Sequence, residues 1–292
     1  MAQLLKGLPV AKGLTLQLAQ RASALEERGV TPTLAIVRVG ERDDDLAYER
    51  GACKRCESVG IQVRRFVLGA DCTQGELLDV IAQVNEDDSI HGCLMFRPLP
   101  GHLDEASACA ALNPAKDVDC STAESLYGVF ANEPVGFPPC TAEACIELLD
   151  HYDIDLDGAN VVVVGRSLVI GKPVSAMLLS RNATVTVCHT HTRDTGRITR
   201  NADVVVVAAG HAKTLGKDAV RSGQTVIDVG INWDEENQRL CGDVAFDEVE
   251  PIVDALTPVP GGVGSVTTAI LAKHVIAAAE RLHASDGEAN LV

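Results

Sequence analysis

Residues 159–173, ANVVVVGRSLVIGKP, restrict what this chain can fold into more than any other stretch. Four consecutive valines, 161–164, suit a strand buried on both faces, as the interior of a parallel sheet requires. Gly165 ends that strand, and Gly171 opens an apolar helix, VSAMLLS, led in by Pro173 near its first turn. A strand, a tight turn and a helix N-terminus together make an anion site, because free backbone N–H groups and the helix dipole both favour phosphate. The spacing excludes a P-loop, which has four residues between its glycines and a hydroxyl residue after its lysine. Here five residues separate Gly165 from Gly171, and Pro173 follows Lys172. The unit reads as a dinucleotide site.

The next strand, ATVTV at 183–187, completes a βαβ unit and bears on which dinucleotide binds. NAD-binding versions place an Asp or Glu at the end of this strand to hold the ribose 2′-OH. Here the strand runs into Cys188, His189, Thr190, His191 and Thr192, with no carboxylate, and Arg166 sits in the glycine turn. A 2′-phosphate would meet a cation and hydroxyls there, so NADP is expected over NAD. The plainer reading of Arg166 is a solvated turn residue.

Strand and helix patterns alternate along most of the 292 residues. Helices over 11–28, 46–59 and 74–84 lead into strands at Thr33–Val39, Gln62–Leu68 and Gly92–Met95. A loop-rich stretch follows to Pro139; then come a helix over 141–149, the valine strand, ATVTV, and strands over 204–208 and 225–229. The fold class is α/β, with parallel sheets in two domains. A last helix, 266–282, follows the turn from Pro260 to Gly264, and the tail 285–292 is expected to fray. A formal net charge of −16 argues against nucleic acid or anionic membrane as a partner. No apolar run approaches a membrane span, and the N-terminus shows no signal-type pattern, so a cytoplasmic location is expected. Cys93, Cys145 and Cys188 fall inside elements as small hydrophobes. Cys53 and Cys56 form a lone CxxC that cannot complete a tetrahedral site, and no metal is expected.

Several segments occur in one order at one spacing: GRSLVIGKP, DVGIN at 228–232, GDV at 242–244 and TPVPGGVG at 257–264. With Pro-Cys-Thr at 139–141 and Lys-Asp-Val-Asp at 116–119, they closely resemble the bifunctional methylenetetrahydrofolate dehydrogenase/methenyltetrahydrofolate cyclohydrolase family. The resemblance spans nearly the whole chain. It implies a substrate domain of residues 1–140 plus 265–292, and a Rossmann-like NADP-binding domain of residues 141–264. NADP would lie over Gly165, Arg166 and Ser167, with Thr190 near the 2′-phosphate and Gly210 and Ile231 lining the nicotinamide side. The folate would rest in the cleft between domains, against Tyr48, Asp119, Pro260, Gly261 and Gly262. The family forms homodimers. The C-terminal helix would return to the first domain through Ile270, Val275, Ala278 and Leu282.

The substrate half departs from the family in several places at once. The family pattern of Tyr, three residues, then a catalytic Lys reads here as Tyr48 followed by Ala52. Lys54 lies roughly 240° round the helix from Tyr48 and is a poor substitute. The strand-end pattern V-Q-L-P-L-P reads Met95, Phe96, Arg97, Pro98, Leu99, Pro100, so Phe96 replaces the glutamine that partners the lysine. Cys120, Ser121 and Thr122 stand where the family has Gly and usually an aromatic or aliphatic residue, and Ser265-Val266 replaces Pro-Met. Arg97 is expected on the surface, a replacement charge at the substrate site being the alternative.

These losses fall unequally on the two activities. Opening a methenyl ring with water benefits from a group that positions water and moves protons, work the family gives to the lysine. Hydride transfer to NADP needs chiefly alignment. The expected activity is therefore NADP-dependent oxidation of 5,10-methylenetetrahydrofolate, with cyclohydrolase action weak or lost. In that reading Tyr48 is a wall for the substrate and Asp119 holds the pterin's polar edge; otherwise Tyr48 is a packed helix residue and Asp119 a turn cap. An oxidoreductase acting on another small molecule, or a non-catalytic NADP-binding protein, are the alternatives.

Overall fold

A computed structural model describes residues 1–235 and 237–284, and the tail expected to fray, 285–292, lies outside the described residues. The first half runs β1 (Gln3–Leu4), α1 (Gly7–Glu27), β2 (Thr33–Val39), α2 (Asp43–Ser58), β3 (Gln62–Leu68), α3 (Gln74–Glu86), β4 (Gly92–Met95), α4 (Glu105–Ala111) and α5 (Ala123–Ala131). The second half runs α6 (Cys140–His151), β5 (Asn160–Val164), α7 (Gly171–Leu179), β6 (Thr184–Cys188), α8 (Thr195–Arg200), β7 (Val204–Val207) and β8 (Thr225–Asp228). It ends with β9 (Asn232–Asp234), β10 (Arg239–Cys241), α9 (Phe246–Val249), β11 (Ala255–Leu256) and α10 (Thr267–Leu282).

The chain forms two compact units. One holds Gly13–Cys140 with the chain from Thr268, and the other holds Met1–Lys12 with Thr141–Thr267. The first twelve residues thus depart from the boundary expected from sequence. The cause is β1, which pairs in parallel with β11 through Gln3–Ala255 and Leu4–Leu256. A two-residue strand is too short to leave a periodic signature.

In the first unit three parallel strands lie in the order β3-β2-β4. All seven residues of β2 are buried, as its run of Leu, Ala, Ile and Val requires. Helix α3 starts on a capping box, Thr73 and Glu76 each accepting the other's backbone N–H. It buries Leu77, Ile81 and Val84, one stripe at helical spacing. Lys116 closes its other end. The ammonium donates to the carbonyls of Val84 (2.8 Å) and Asn85 (2.9 Å), which the helix leaves unpaired, and to that of Asp87 (2.8 Å) just beyond it.

Helix α10 belongs to this unit from Thr268 onward and buries Ile270, Val275 and Ala278. Leu282 does not join them. It is 48% exposed, at the last residue of the helix. His274 donates to the Val118 carbonyl (2.8 Å) and stacks on Phe137, with ring centroids 4.9 Å apart. The stretch up to Pro139, expected to be loop-rich, carries α4 and α5, capped by the side chains of Asp104 and Thr122. At seven and nine residues they are too short for periodicity to reveal.

The second unit holds a six-stranded, all-parallel sheet ordered β1-β11-β8-β7-β5-β6. Val161 to Val164 are buried, as are all four valines of β7 beside them. Outside this pattern stands an antiparallel ribbon, β9–β10, which pairs Trp233 with Leu240. All ten cysteines are free thiols. Among the described residues no helix is long and apolar enough to cross a membrane.

His91 gives the first unit an acid-sensitive contact. Its Nδ1 accepts the Thr33 N–H (3.1 Å), and its Nε2 faces Nε2 of His283 at 3.2 Å. Burial, with His283 and Lys116 adding to it, lowers its pKa to about 4. The unfolded chain therefore binds the extra proton between about pH 6.5 and 4, and the stability from neutral His91 is complete above that window and lost on acidification through it. His91→Asn keeps an acceptor for Thr33. We expect the wild type's stability advantage over this variant, from urea unfolding, to shrink by about 2 kcal/mol between pH 7 and pH 5. An advantage independent of pH would contradict the assignment.

Candidate active site

The carboxyl ends of β5 and β7 mark the place where the order of the larger sheet reverses. From β5 the chain moves outward to β6, then returns to place β7 on the other side of β5. Ligands of open parallel sheets bind in the crevice at such a switch point. Gly165 stands on one lip. A Cβ there would lie 2.2 Å from the Ala208 carbonyl oxygen, and φ is +137°, so only glycine fits. Gly210 stands on the other lip and is exposed.

Arg166 and Ser167 follow Gly165 and are exposed, and Thr190 is exposed beyond the end of β6. The structure brings these sequence-derived candidates to one edge of one sheet. It changes two details. The first N–H groups of α7 are not free: Ile170 and Gly171 donate to the Ser167 hydroxyl (3.1 and 3.5 Å), and Lys172 donates to the Ser167 carbonyl (3.0 Å). Ser167 thus ties down the turn that leads into the helix and keeps its own O–H to donate. Thr192 is turned inward, its hydroxyl oxygen accepting the His189 N–H at 2.8 Å. Arg193, exposed in the same turn, is a second cation that the motif did not single out.

Two buried carboxylates hold the loops around this crevice. Asp228, at the end of β8, accepts the N–H groups of Gly230 (3.1 Å), Asp243 (2.9 Å) and Val244 (3.0 Å). Asp243 accepts those of Ala209 (2.6 Å) and Gly210 (2.8 Å) and the side-chain amide of Asn232 (2.9 Å). Burial pushes the Asp228 carboxyl up to about 6 against the pull of its three donors, and neighbouring Asp243 adds to the rise. DVGIN and GDV are therefore two halves of one device. The glycines let the carboxyls in: a Cβ at Gly242 would lie 1.8 Å from Asp228 Oδ2, and one at Gly230 would lie 2.2 Å from the Asp243 carboxyl. Beyond them Ile231 is 67% exposed, unusual for an isoleucine. A cavity of about 240 Å³ opens among Gly230, Ile231, Leu240, Pro260, Gly261 and Gly262.

The other candidates gather in the first unit. On α2, Tyr48 is half-buried and Ala52, one turn on, is fully buried. Lys54 is exposed, on another face of the helix. Phe96 follows β4, its N–H donating to the Val37 carbonyl (3.0 Å), and its ring meets Tyr48 edge-on at 6.0 Å. In Lys-Asp-Val-Asp, the loop-building carboxylate is Asp117. It accepts from the N–H groups of Ser121 and Thr122 and from the hydroxyls of Thr122 and Ser125. Asp119 is half-buried and accepts the Cys140 N–H at 2.9 Å. Burial raises its carboxyl above the usual range, while hydrogen bonds from Cys140 and the electrostatic pull of His274 and Arg97 draw it back.

Two departures from the family pattern now have physical descriptions. Cys120 sits at φ +56°, the left-handed region that favours the glycine it replaces. Thr122 caps α5. Arg97 corrects the surface expectation: it is half-buried and hydrogen-bonded to Cys109. Among the described residues no cluster of three His, Cys, Asp or Glu side chains could hold a metal ion.

Comparison with known proteins matches both halves. Residues 5–119 match the catalytic domain of the tetrahydrofolate dehydrogenase/cyclohydrolase family, and residues 139–283 match its NAD(P)-binding domain. The bifunctional protein FolD of Carboxydothermus hydrogenoformans is 50% identical over 97% of this chain and 99% of its own. The crystal structure of FolD from Campylobacter jejuni superposes with a TM-score of 0.93 at 37% identity, covering 96% of this chain and 99% of that one. FolD from Trypanosoma brucei, solved with NADP cofactor and inhibitor, gives a TM-score of 0.89 at 34% identity, over 96% and 98%. The switch-point crevice, the paired motifs that brace it and agreement over nearly the full length lead to one assignment: the chain belongs to the tetrahydrofolate dehydrogenase/cyclohydrolase family.

Proposed function

We propose that this protein is an NADP-dependent 5,10-methylenetetrahydrofolate dehydrogenase whose methenyltetrahydrofolate cyclohydrolase activity is weak or lost. One observation carries the division of activities. Ala52, at the position of the family's lysine, is fully buried, and Phe96, in place of its glutamine partner, closes edge-on against Tyr48. Neither side chain can position water or move a proton, a deficit that typically costs on the order of 10²–10⁴-fold.

The other half suits the cofactor. Gly165 permits close approach of a pyrophosphate, the Ser167 hydroxyl has a proton to donate, and exposed Arg166 and Thr190 offer a 2′-phosphate a cation and a hydroxyl. Ile231 presents an apolar surface to the nicotinamide side. NADP, when bound, supplies the hydride acceptor. The task left to protein residues is alignment, with Tyr48 as a wall and Asp119 on the pterin's N–H groups, and both side chains are present. Retention of the cofactor features favours redox chemistry over a merely structural descendant of the fold.

Two expected outcomes test the two parts. For the cofactor, Arg166→Ala should weaken NADP about 10-fold or more while changing NAD little, since a charge-assisted phosphate contact is the only difference. Titration calorimetry reads this, and equal or tighter NAD binding by the wild type would refute the preference. For hydrolysis, methenyl decay should be slow in the wild type although methylenetetrahydrofolate reduces NADP. Ala52→Lys alone should recover little, because a buried ammonium beside Phe96 is shifted toward its neutral form. Ala52→Lys with Phe96→Gln should exceed the product of the two single effects, by about 3-fold or more, as coupled neighbours do. Rapid hydrolysis by the unmodified protein would sink the second part and leave the first standing.

A further inference from the structure

Arg97 is out of keeping with its surroundings. It stands where the strand-end pattern of the family carries leucine, immediately after Phe96. The residue is half-buried, and among the described residues it enters no ion pair within 4 Å. Its contact is the thiol of Cys109, a weak partner for a cation. A guanidinium has five N–H donors, and a thiol takes up little of that capacity, so Arg97 keeps donors for a further acceptor.

The register of the sheet says what lies beside it. Cys93, in β4, forms a parallel bridge with Asp117. Two residues further along each segment bring Met95 level with Asp119, so Arg97 and Asp119 leave the same carboxyl edge on adjacent parallel segments. Arg97 is close enough to act electrostatically on both Asp119 and Cys120. One side chain offers forked N–H donors and the other offers acceptor oxygens.

Resting on the folate reading above, we propose that Arg97 and Asp119 together read the lactam edge of the substrate's pterin ring. Asp119 accepts from the ring N–H and the adjacent amino group, and Arg97 donates to the neighbouring C4 carbonyl. A tetrahydropterin presents these groups in a row, donor, donor, acceptor, which is the complement of a carboxylate beside a guanidinium. Arg97 is thus a binding and specificity residue and takes no part in proton transfer. Its cation holds the ring from the edge rather than replacing the lysine's chemistry.

The test is a thermodynamic cycle between Arg97 and the lactam edge, whose 4-amino form presents a donor in place of the C4 carbonyl and a bare nitrogen in place of the ring N–H. Binding of tetrahydrofolate and of its 4-amino counterpart is measured by calorimetry for the wild type, Arg97→Leu and Arg97→Lys. Arg97→Leu should weaken tetrahydrofolate about 10- to 100-fold, the worth of a hydrogen bond to a charged group, and leave the 4-amino compound within about 3-fold. Arg97→Lys, which keeps one donor, should fall between, and NADP affinity should not move. In steady state Arg97→Leu should raise KM for methylenetetrahydrofolate with kcat nearly unchanged. Equal weakening of both pteridines, or no weakening of either, overturns the proposal. If Arg97→Leu does not fold, the same comparison is made with Arg97→Lys, where a loss confined to tetrahydrofolate supports the proposal and an equal loss overturns it. Failure of the wild type to bind tetrahydrofolate at all would overturn the folate reading too, and is seen before any variant is made.

Discussion

The two carboxylates at the edge of the larger sheet, Asp228 and Asp243, set the terms for the cofactor half. Between them they satisfy six donors on three separate loops. Burying two acidic groups this close is costly, and the cost is met only because each N–H that would otherwise be orphaned finds an oxygen. The loop after β7, the loop after β8 and the turn after β10 are therefore fixed relative to one another by a single polar network. A site assembled from loops gains the rigidity normally reserved for strands and helices. Exposed groups such as Ile231 and Gly210 can then be held at defined positions without packing of their own.

The smaller sheet solves the same problem with different means. Its edge is organised by one carboxylate, Asp117, and one ammonium, Lys116, adjacent in sequence and opposite in role. Lys116 faces back to terminate α3, and Asp117 faces forward to build the loop into α5. Asp119, two residues on, is left at the rim. The short charged motif is thus mostly architecture, its last member, Asp119, holding the Cys140 N–H.

Much of this was legible in the chain. The strands Thr33–Val39, Gln62–Leu68 and Gly92–Met95 coincide with their expected limits: the first and last are buried apolar runs, and the second is an edge strand of mixed residues with none fully buried, bounded by Gly60 and Gly69. The valine strand and the switch-point turn were equally plain. What local pattern could not show was pairing at a distance: β1 joining β11, or Asp228 reaching Asp243. Arg97 misled for a related reason. Arginine is usually exposed, and nothing in the adjacent residues records the fold of chain that encloses it.

Ala52 and Phe96 also limit what their corner of the first unit can accommodate. Ala52 is sealed from solvent, and Tyr48, one helical turn away, leans on the Phe96 ring. Any longer side chain at the first site has to displace its neighbours, and a charged one has to do so away from water. Because Tyr48 and Phe96 meet edge-on one helical turn away, the two sites are not independent: what fits at one depends on what stands at the other.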